Sequence, residues 1–302
     1  MPKINYPVLA LIIANIIWGA TSPIIKFSLQ NIPPFSLAFI RFLLAALLLY
    51  PFVHKSANYS QLKNRWLWIF ALSGITFNII FFFLGLQRTQ SIIAPIIGSS
   101  GPIMVLVGSM IFLKEHATKR QITGMIISLA GVLWIVVLPF LFHRYAGETL
   151  GNIFMILATV GAVVSTLAGR KFLTPENAWA MTFWSCVIGT LTFLPLAFWE
   201  FNVNPLWLAN LDYRGWTGII YGAIFSSAIA YGASDWALSK LTAFRTSIFS
   251  YMDPVVAVLV AYPLLGETIT VPFLIGSVLV FAGIYIAENR IHYHPFKNLF
   301  SI

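Results

Sequence analysis

The chain has 302 residues, of which 59% are hydrophobic and only 9% charged, and its formal net charge is +9. A water-soluble domain carries about 25% charged residues, so there is too little polar side chain here to cover a surface facing water. The positive balance does not indicate nucleic acid, because the basic residues fall in short loops between apolar runs and no polar basic face exists to carry them.

A hydrocarbon core about 30 Å thick takes about 20 apolar residues per helix. Runs of that kind lie at 6–26, 34–53, 66–86, 91–113, 121–141, 150–170, 178–199, 214–237, 244–265 and 271–288. They predict an all-α membrane protein of ten transmembrane helices. Lys3 ahead of the first run resembles a signal peptide, but no soluble domain follows, so an uncleaved first helix is expected.

Helix 1 carries a polar stripe, Asn15, Trp18, Ser22 and Lys26, spaced by three or four and therefore on one face. Lipid-facing Asn and Ser would be unfavourable, so the stripe is expected to face the interior, either lining a cavity or joining helices. Arg41 lies within the second run. It either holds a carboxylate or is structural, snorkelling to the outer interface or pairing with a carbonyl. Asn78 and Phe82 are neighbours on helix 3 and further lining candidates. Glu115 and Glu267 sit just past helices 4 and 9 and read as interface anchors. Gly124 and Gly131 on helix 5, like Gly276 and Gly283 on helix 10, read as close-packing positions. Thr159 and Thr166 repeat the polar stripe on helix 6, and the lone Cys186 on helix 7 reads as a small buried thiol. With one cysteine and histidines only in loops and tail, neither a disulfide framework, a metal site nor a cofactor is expected.

Helix 8 carries Asp235, four residues after Tyr231 and eight after Ser227, with Trp236 beside it. An intramembrane carboxylate costs about 2.5–3.5 kcal/mol on insertion scales and needs a reason. Beside aromatic rings it can bind a cation or amine. It can also take up a proton, since desolvation disfavours the charged form. The structural alternative pairs it with Lys240. Asp253 precedes Pro254 in helix 9, where proline disfavours helical geometry in the residue before it. Asp253 either faces a cavity or caps the resumed helix. The two aspartates are expected at nearly opposite depths, which argues against a catalytic pair and so against an intramembrane enzyme.

An internal repeat organises these elements. At a constant offset, Pro102 answers Pro254, Leu113 Leu265, Glu115 Glu267, Thr118 Thr270, Gly124 Gly276 and Gly131 Gly283. A weaker echo pairs Asn15 with Thr159, Ser22 with Thr166 and Lys26 with Arg170. The expected units are 1–141, 150–288 and a short tail, 289–302. An odd number of helices per half makes the halves enter the membrane in opposite directions, a transporter signature. The Lys/Arg bias favours cytoplasmic termini, since only Lys26, Arg88, Arg144 and Arg214 fall in outside segments.

With Trp18-Gly19 and Lys26 on helix 1, Pro34 with Arg41-Phe42 on helix 2, and the run from Pro102 to Glu115 repeated from Pro254 to Glu267, the chain resembles the drug/metabolite transporter superfamily, its EamA family in particular. The resemblance covers nearly the whole chain. It implies two inverted five-helix repeats, a central cavity and transport driven by a gradient, in a bacterial or archaeal cell membrane. Lys114 answers Gly266, so the two Glu residues need not share partners. No G-x-x-x-x-G-K-[ST] motif is present, so the drive is expected to be an ion gradient, protons among the candidates, or the substrate gradient. The expectation is an exporter of small amphipathic metabolites such as amino acids, with Asp235, Trp18, Tyr231, Trp236, Asn15, Ser22, Asn78 and Phe82 at the substrate and Asp235 and Asp253 as coupling candidates. The alternative is a proton-coupled carrier of organic cations or drugs, with a channel as a further rival. The sequence leaves the oligomeric state open.

Overall fold

A computed structural model of the protein describes residues 5–88, 93–143, 149–265 and 271–288. These residues form helices and short connections, with no strand among them. α1 is Tyr6–Ser28 and α2 is Pro34–Val53. Both start with proline in the first turn, where its fixed φ suits the helix and its missing N–H leaves no orphan. α3 is Arg65–Arg88, whose first turn is capped by Asn64 Oδ1 accepting from the Trp66 N–H at 3.0 Å. α4 is Gly101–Leu113, preceded by the short helix Ile93–Gly98. It stops where Lys114 takes the left-handed conformation, φ 56°, and the Glu115 N–H turns back to the Ser109 carbonyl.

α5 is Lys119–His143, α6 Thr149–Phe172, α7 Ala178–Val203, α8 residues 213–240, α9 residues 243–265 and α10 Val271–Glu288. Asp212 caps α8 and Thr242 caps α9 through side-chain oxygens that accept from backbone N–H groups. Among the described residues six helices are long and apolar enough to cross a membrane: α1, α2, α3, Leu150–Phe172 within α6, α7 and Ala243–Leu264 within α9. Large apolar side chains such as Leu47, Phe52, Phe198, Val203 and Val278 stand exposed. A surface of that kind is solvated by lipid.

α2 lies along α7, and α5 along α10. α1 packs on α8 and α9, while α6 packs on α3 and α4. Along the α5–α10 seam backbone meets backbone. A Cβ on Gly124 would sit 2.5 Å from the Gly283 carbonyl oxygen, and one on Gly131 would sit 2.7 Å from that of Gly276. The close approach lets Ser128 Oγ donate across the seam to the Val280 carbonyl at 3.1 Å.

Among the described residues three helices contain π-helical stretches, 72–77 in α3, 109–113 in α4 and 221–230 in α8. A π turn closes on the fifth residue rather than the fourth. In α8 this changes which side chains share a face. α-helical spacing selects Ser227 together with Tyr231, whereas Ser226, five residues before Tyr231, is the serine that shares the cavity wall with it.

Candidate functional site

α1, α3, α4, α6, α8 and α9, with Arg41 of α2, line a cavity of about 300 Å³. Its wall is largely apolar and aromatic, with polar groups concentrated on α1, α6, α8 and α9. α1 contributes Asn15, Trp18, Thr21 and Ser22, so its polar stripe faces inward. α3 contributes Phe70, Gly74, Asn78 and Phe82, and α4 contributes Gly101 and Pro102. α6 adds Thr159, Ser165 and Thr166, and α8 adds Ser226, Tyr231, Ser234 and Asp235. α9 brings Thr246, Ser247, Ser250 and Asp253.

Not every polar residue in the wall is equally available. Asn15 Nδ2 donates to the Leu11 carbonyl one turn back, at 2.8 Å. Asn78 Nδ2 donates to the Ala158 carbonyl at 2.7 Å and so ties α3 to α6. Tyr231 packs edge-on against Trp18, ring centres 5.3 Å apart, and against Phe42. The Trp18 indole N–H reaches the Ser226 carbonyl at 3.4 Å. Trp18 and Tyr231 thus form one aromatic corner between α1 and α8.

Asp235 is 5% exposed and its Oδ2 accepts a 2.6 Å hydrogen bond from Thr182 Oγ1 of α7. Lys240 does not pair with it. The Lys240 ammonium lies 4.3 Å from the centre of the Trp236 ring, and the ion pairs among the described residues are Arg170–Glu115 and Arg214–Asp212. Trp236 is engaged with Lys240 and does not line the cavity. Asp253 and Asp235 line one cavity, although Asp235 stands near the end of α8 and Asp253 midway along α9. Asp253 is the first residue of the regular α-helical part of α9, after a 3-10 stretch at Ile248–Met252, and its Oδ1 is buried without a hydrogen-bond partner. Its backbone lies against Gly19 of α1, where a Cβ would stand 2.9 Å from the Asp253 carbonyl oxygen.

Arg41 does not snorkel. It is 1% exposed, at the cavity wall, with its guanidinium 4.8 Å from the Phe42 ring centre. Nε donates to Ser227 Oγ at 2.9 Å and Nη2 to Ser226 Oγ at 3.0 Å, while Nη1 is buried without a partner. Glu115 ties three helix ends together. It accepts from Arg170 Nε at 3.1 Å and from the Ala243 N–H at 3.0 Å. Glu267, its repeat mate, lies outside the described residues. So do Arg144 and the tail.

Several contributors are not singled out by spacing, among them Ser165, Ser226, Ser234 and the α9 hydroxyls Thr246, Ser247 and Ser250. Thr182, the partner of Asp235, sits among apolar residues of α7 and gives no local signal. Thr21 stands one residue off the α1 stripe. Glu200 near the end of α7 accepts from the Phe35 N–H at 3.0 Å, the Ser36 N–H at 2.6 Å and Ser36 Oγ at 2.8 Å. It caps α2, whose own cap position holds Pro33 and supplies no side-chain acceptor. A helix start lacking its cap is the one sequence signal that such a distant acceptor is needed.

Comparison with known proteins supplies a context for this cavity. A model of the EamA-like transporter family matches residues 5–137 and 149–288. An uncharacterized transporter of Archaeoglobus fulgidus is 31% identical over 277 residues, 90% of this chain and 95% of its own. The uncharacterized transporter YyaM of Bacillus subtilis is 27% identical over 293 residues, 92% of each chain. One crystal structure superposes with a TM-score of 0.74 at 19% identity, covering 93% of this chain and 96% of that one, so the two share a fold.

Proposed function

The chain belongs to the EamA-like transporter family, and we propose that it is a secondary transporter exporting small amphipathic metabolites, amino acids among them, by alternating access. As an integral membrane transporter it handles a small-molecule substrate in a lipid environment. The observation that carries the finer reading is the cavity between the helices. It is polar and ionic at a few points, apolar elsewhere, and at about 300 Å³ suited to a metabolite rather than a bulky drug.

In this reading the protein spans the bilayer ten times as two inverted five-helix repeats, 1–141 and 150–288. The packing scheme supports it. Exchanging each helix with the one five places on leaves the α2–α7 and α5–α10 pairs unchanged. The same exchange converts α1 on α8 and α9 into α6 on α3 and α4. Two halves with interchangeable packing can trade conformations, opening the cavity to one side and then the other. The Lys/Arg bias supports cytoplasmic termini, and the archaeal and bacterial relatives support a prokaryotic cell membrane.

Asp235 is the leading coupling candidate and Asp253 the second. Purified protein in proteoliposomes tests the first. With a pH gradient imposed, Asp235→Asn is expected to remove the response of transport to the gradient while substrate exchange at equal pH persists. Unchanged gradient response would make Asp235 structural. The alternative, a proton-coupled carrier of organic cations, draws on the carboxylate of Asp235 beside the Trp18–Tyr231 corner. It prevails if Asp235→Asn abolishes cation transport and leaves amino acid transport intact.

A further inference from the structure

The cavity wall carries both a basic side chain and acidic ones, and each kind has an atom left without a partner. Arg41 is 1% exposed and stays a cation in any protein setting, yet no acidic side chain among the described residues pairs with it. Two serine hydroxyls fix two of its nitrogens at 2.9 and 3.0 Å and hold the plane of the guanidinium. Nη1 is left buried and unpartnered at the wall of the cavity. Asp253 of α9, which lines the same cavity, leaves Oδ1 in the same condition.

Leaving a buried charged group short of hydrogen bonds is unfavourable, and a structure that keeps two such groups at one cavity gains most from a ligand that satisfies both. A monovalent anion would meet Arg41 and be repelled by the two aspartates. A monovalent cation would do the reverse. A solute with both charges offsets the desolvation of each end with an opposite charge already fixed in the wall. The apolar and aromatic part of the lining, with Trp18 and Tyr231, accommodates a side chain.

We propose that the cavity is a zwitterion site, taking the carboxylate of an amino-acid-like solute on Arg41 Nη1 and its ammonium on Asp253. This rests on the carrier reading above and sharpens it, because it excludes simple amines and simple acids as good substrates. It also gives Arg41 a ligand-binding role in addition to any part in packing.

The test uses matched probes on the full-length protein in proteoliposomes and, for binding, in detergent. One pool contains neutral and basic α-amino acids, a second their decarboxylated amines, and a third the corresponding deaminated acids. Wild type is expected to bind and exchange members of the first pool at least tenfold better than their partners in the other two. Arg41→Gln should lose that advantage over the amines while still binding them, and Asp253→Asn should lose the advantage over the acids. Arg41→Lys, which retains the charge, should recover part of the loss. A merely structural role would lower binding of all pools together, and that parallel loss, or two variants indistinguishable from wild type, overturns the proposal. Preference of wild type for amines or acids alone overturns it too, with the carrier reading intact. Absence of saturable transport for every pool and for other metabolites removes both.

Discussion

Glu200 illustrates how one side chain can hold two helices in register. Its carboxylate accepts three hydrogen bonds from the first turn of α2, where the backbone N–H groups have no intrahelical partner. Removing it leaves buried donors unsatisfied, so Glu200→Ala is expected to destabilise the protein by about 1–3 kcal/mol. Thermal unfolding in detergent would read this, and an unchanged midpoint would show that water replaces the carboxylate. Thr182 works on a smaller stage, fixing one oxygen of Asp235. Sequence spacing made Asp235 and Tyr231 visible as neighbours, since both lie on one helix. Thr182 and Glu200 were not legible, because their partners are 53 and 164–165 residues away in sequence. The structural reading of Asp235, paired with Lys240, gives way to Thr182, because the ammonium has an aromatic face nearer to hand.

At the scale of elements, small residues and irregular turns decide how close helices come and which way they face. Glycines in α5 and α10 put backbone against backbone. Gly131→Val would drive a branched side chain into the Gly276 carbonyl. Overpacking of that kind costs about 1–3 kcal/mol. The variant should give a lower unfolding midpoint, with Ala intermediate; a midpoint equal to wild type would mean that the seam can open. The four glycines were readable from the repeat, although which would face which was not. The π-helical stretch in α8 is a different case. It replaces Ser227 by Ser226 at the cavity and turns Ser227 toward Arg41 Nε. Helical spacing assumes a regular turn, so no count of residues could have anticipated the switch.

For the molecule as a whole, the Glu115 clamp joins the ends of α4, α6 and α9 on the side that the Lys/Arg bias assigns to the cytoplasm. In the alternating-access reading these contacts hold that side together while the other is open. Glu115→Gln removes the ion pair and should raise labelling of cavity cysteines, introduced at Ser250 for example, from the cytoplasmic side several-fold; equal labelling would show that the clamp is not a gate. The inverted arrangement has its own check. Cysteines introduced at 115 and 267 should react with an impermeant reagent from opposite sides of the membrane, and reaction from one side would dismantle the two-repeat scheme.

The amino-acid order by itself determined the solvent and the family resemblance, and it is the source of the proposed repeat. These depend on which residue types recur along the chain, and apolar runs, prolines and glycines keep their meaning wherever the helices end up. It also nominated Asp235, Asp253, Trp18 and Tyr231, because a charge or an aromatic cluster inside an apolar run is conspicuous without neighbours. Only the tertiary structure decided that Arg41 is buried at the cavity wall, that Trp236 is engaged with Lys240, and that the two aspartates share a chamber. Those outcomes are set by where distant helices cross, and a side chain's partner across a bundle is fixed by packing in three dimensions that no local pattern records.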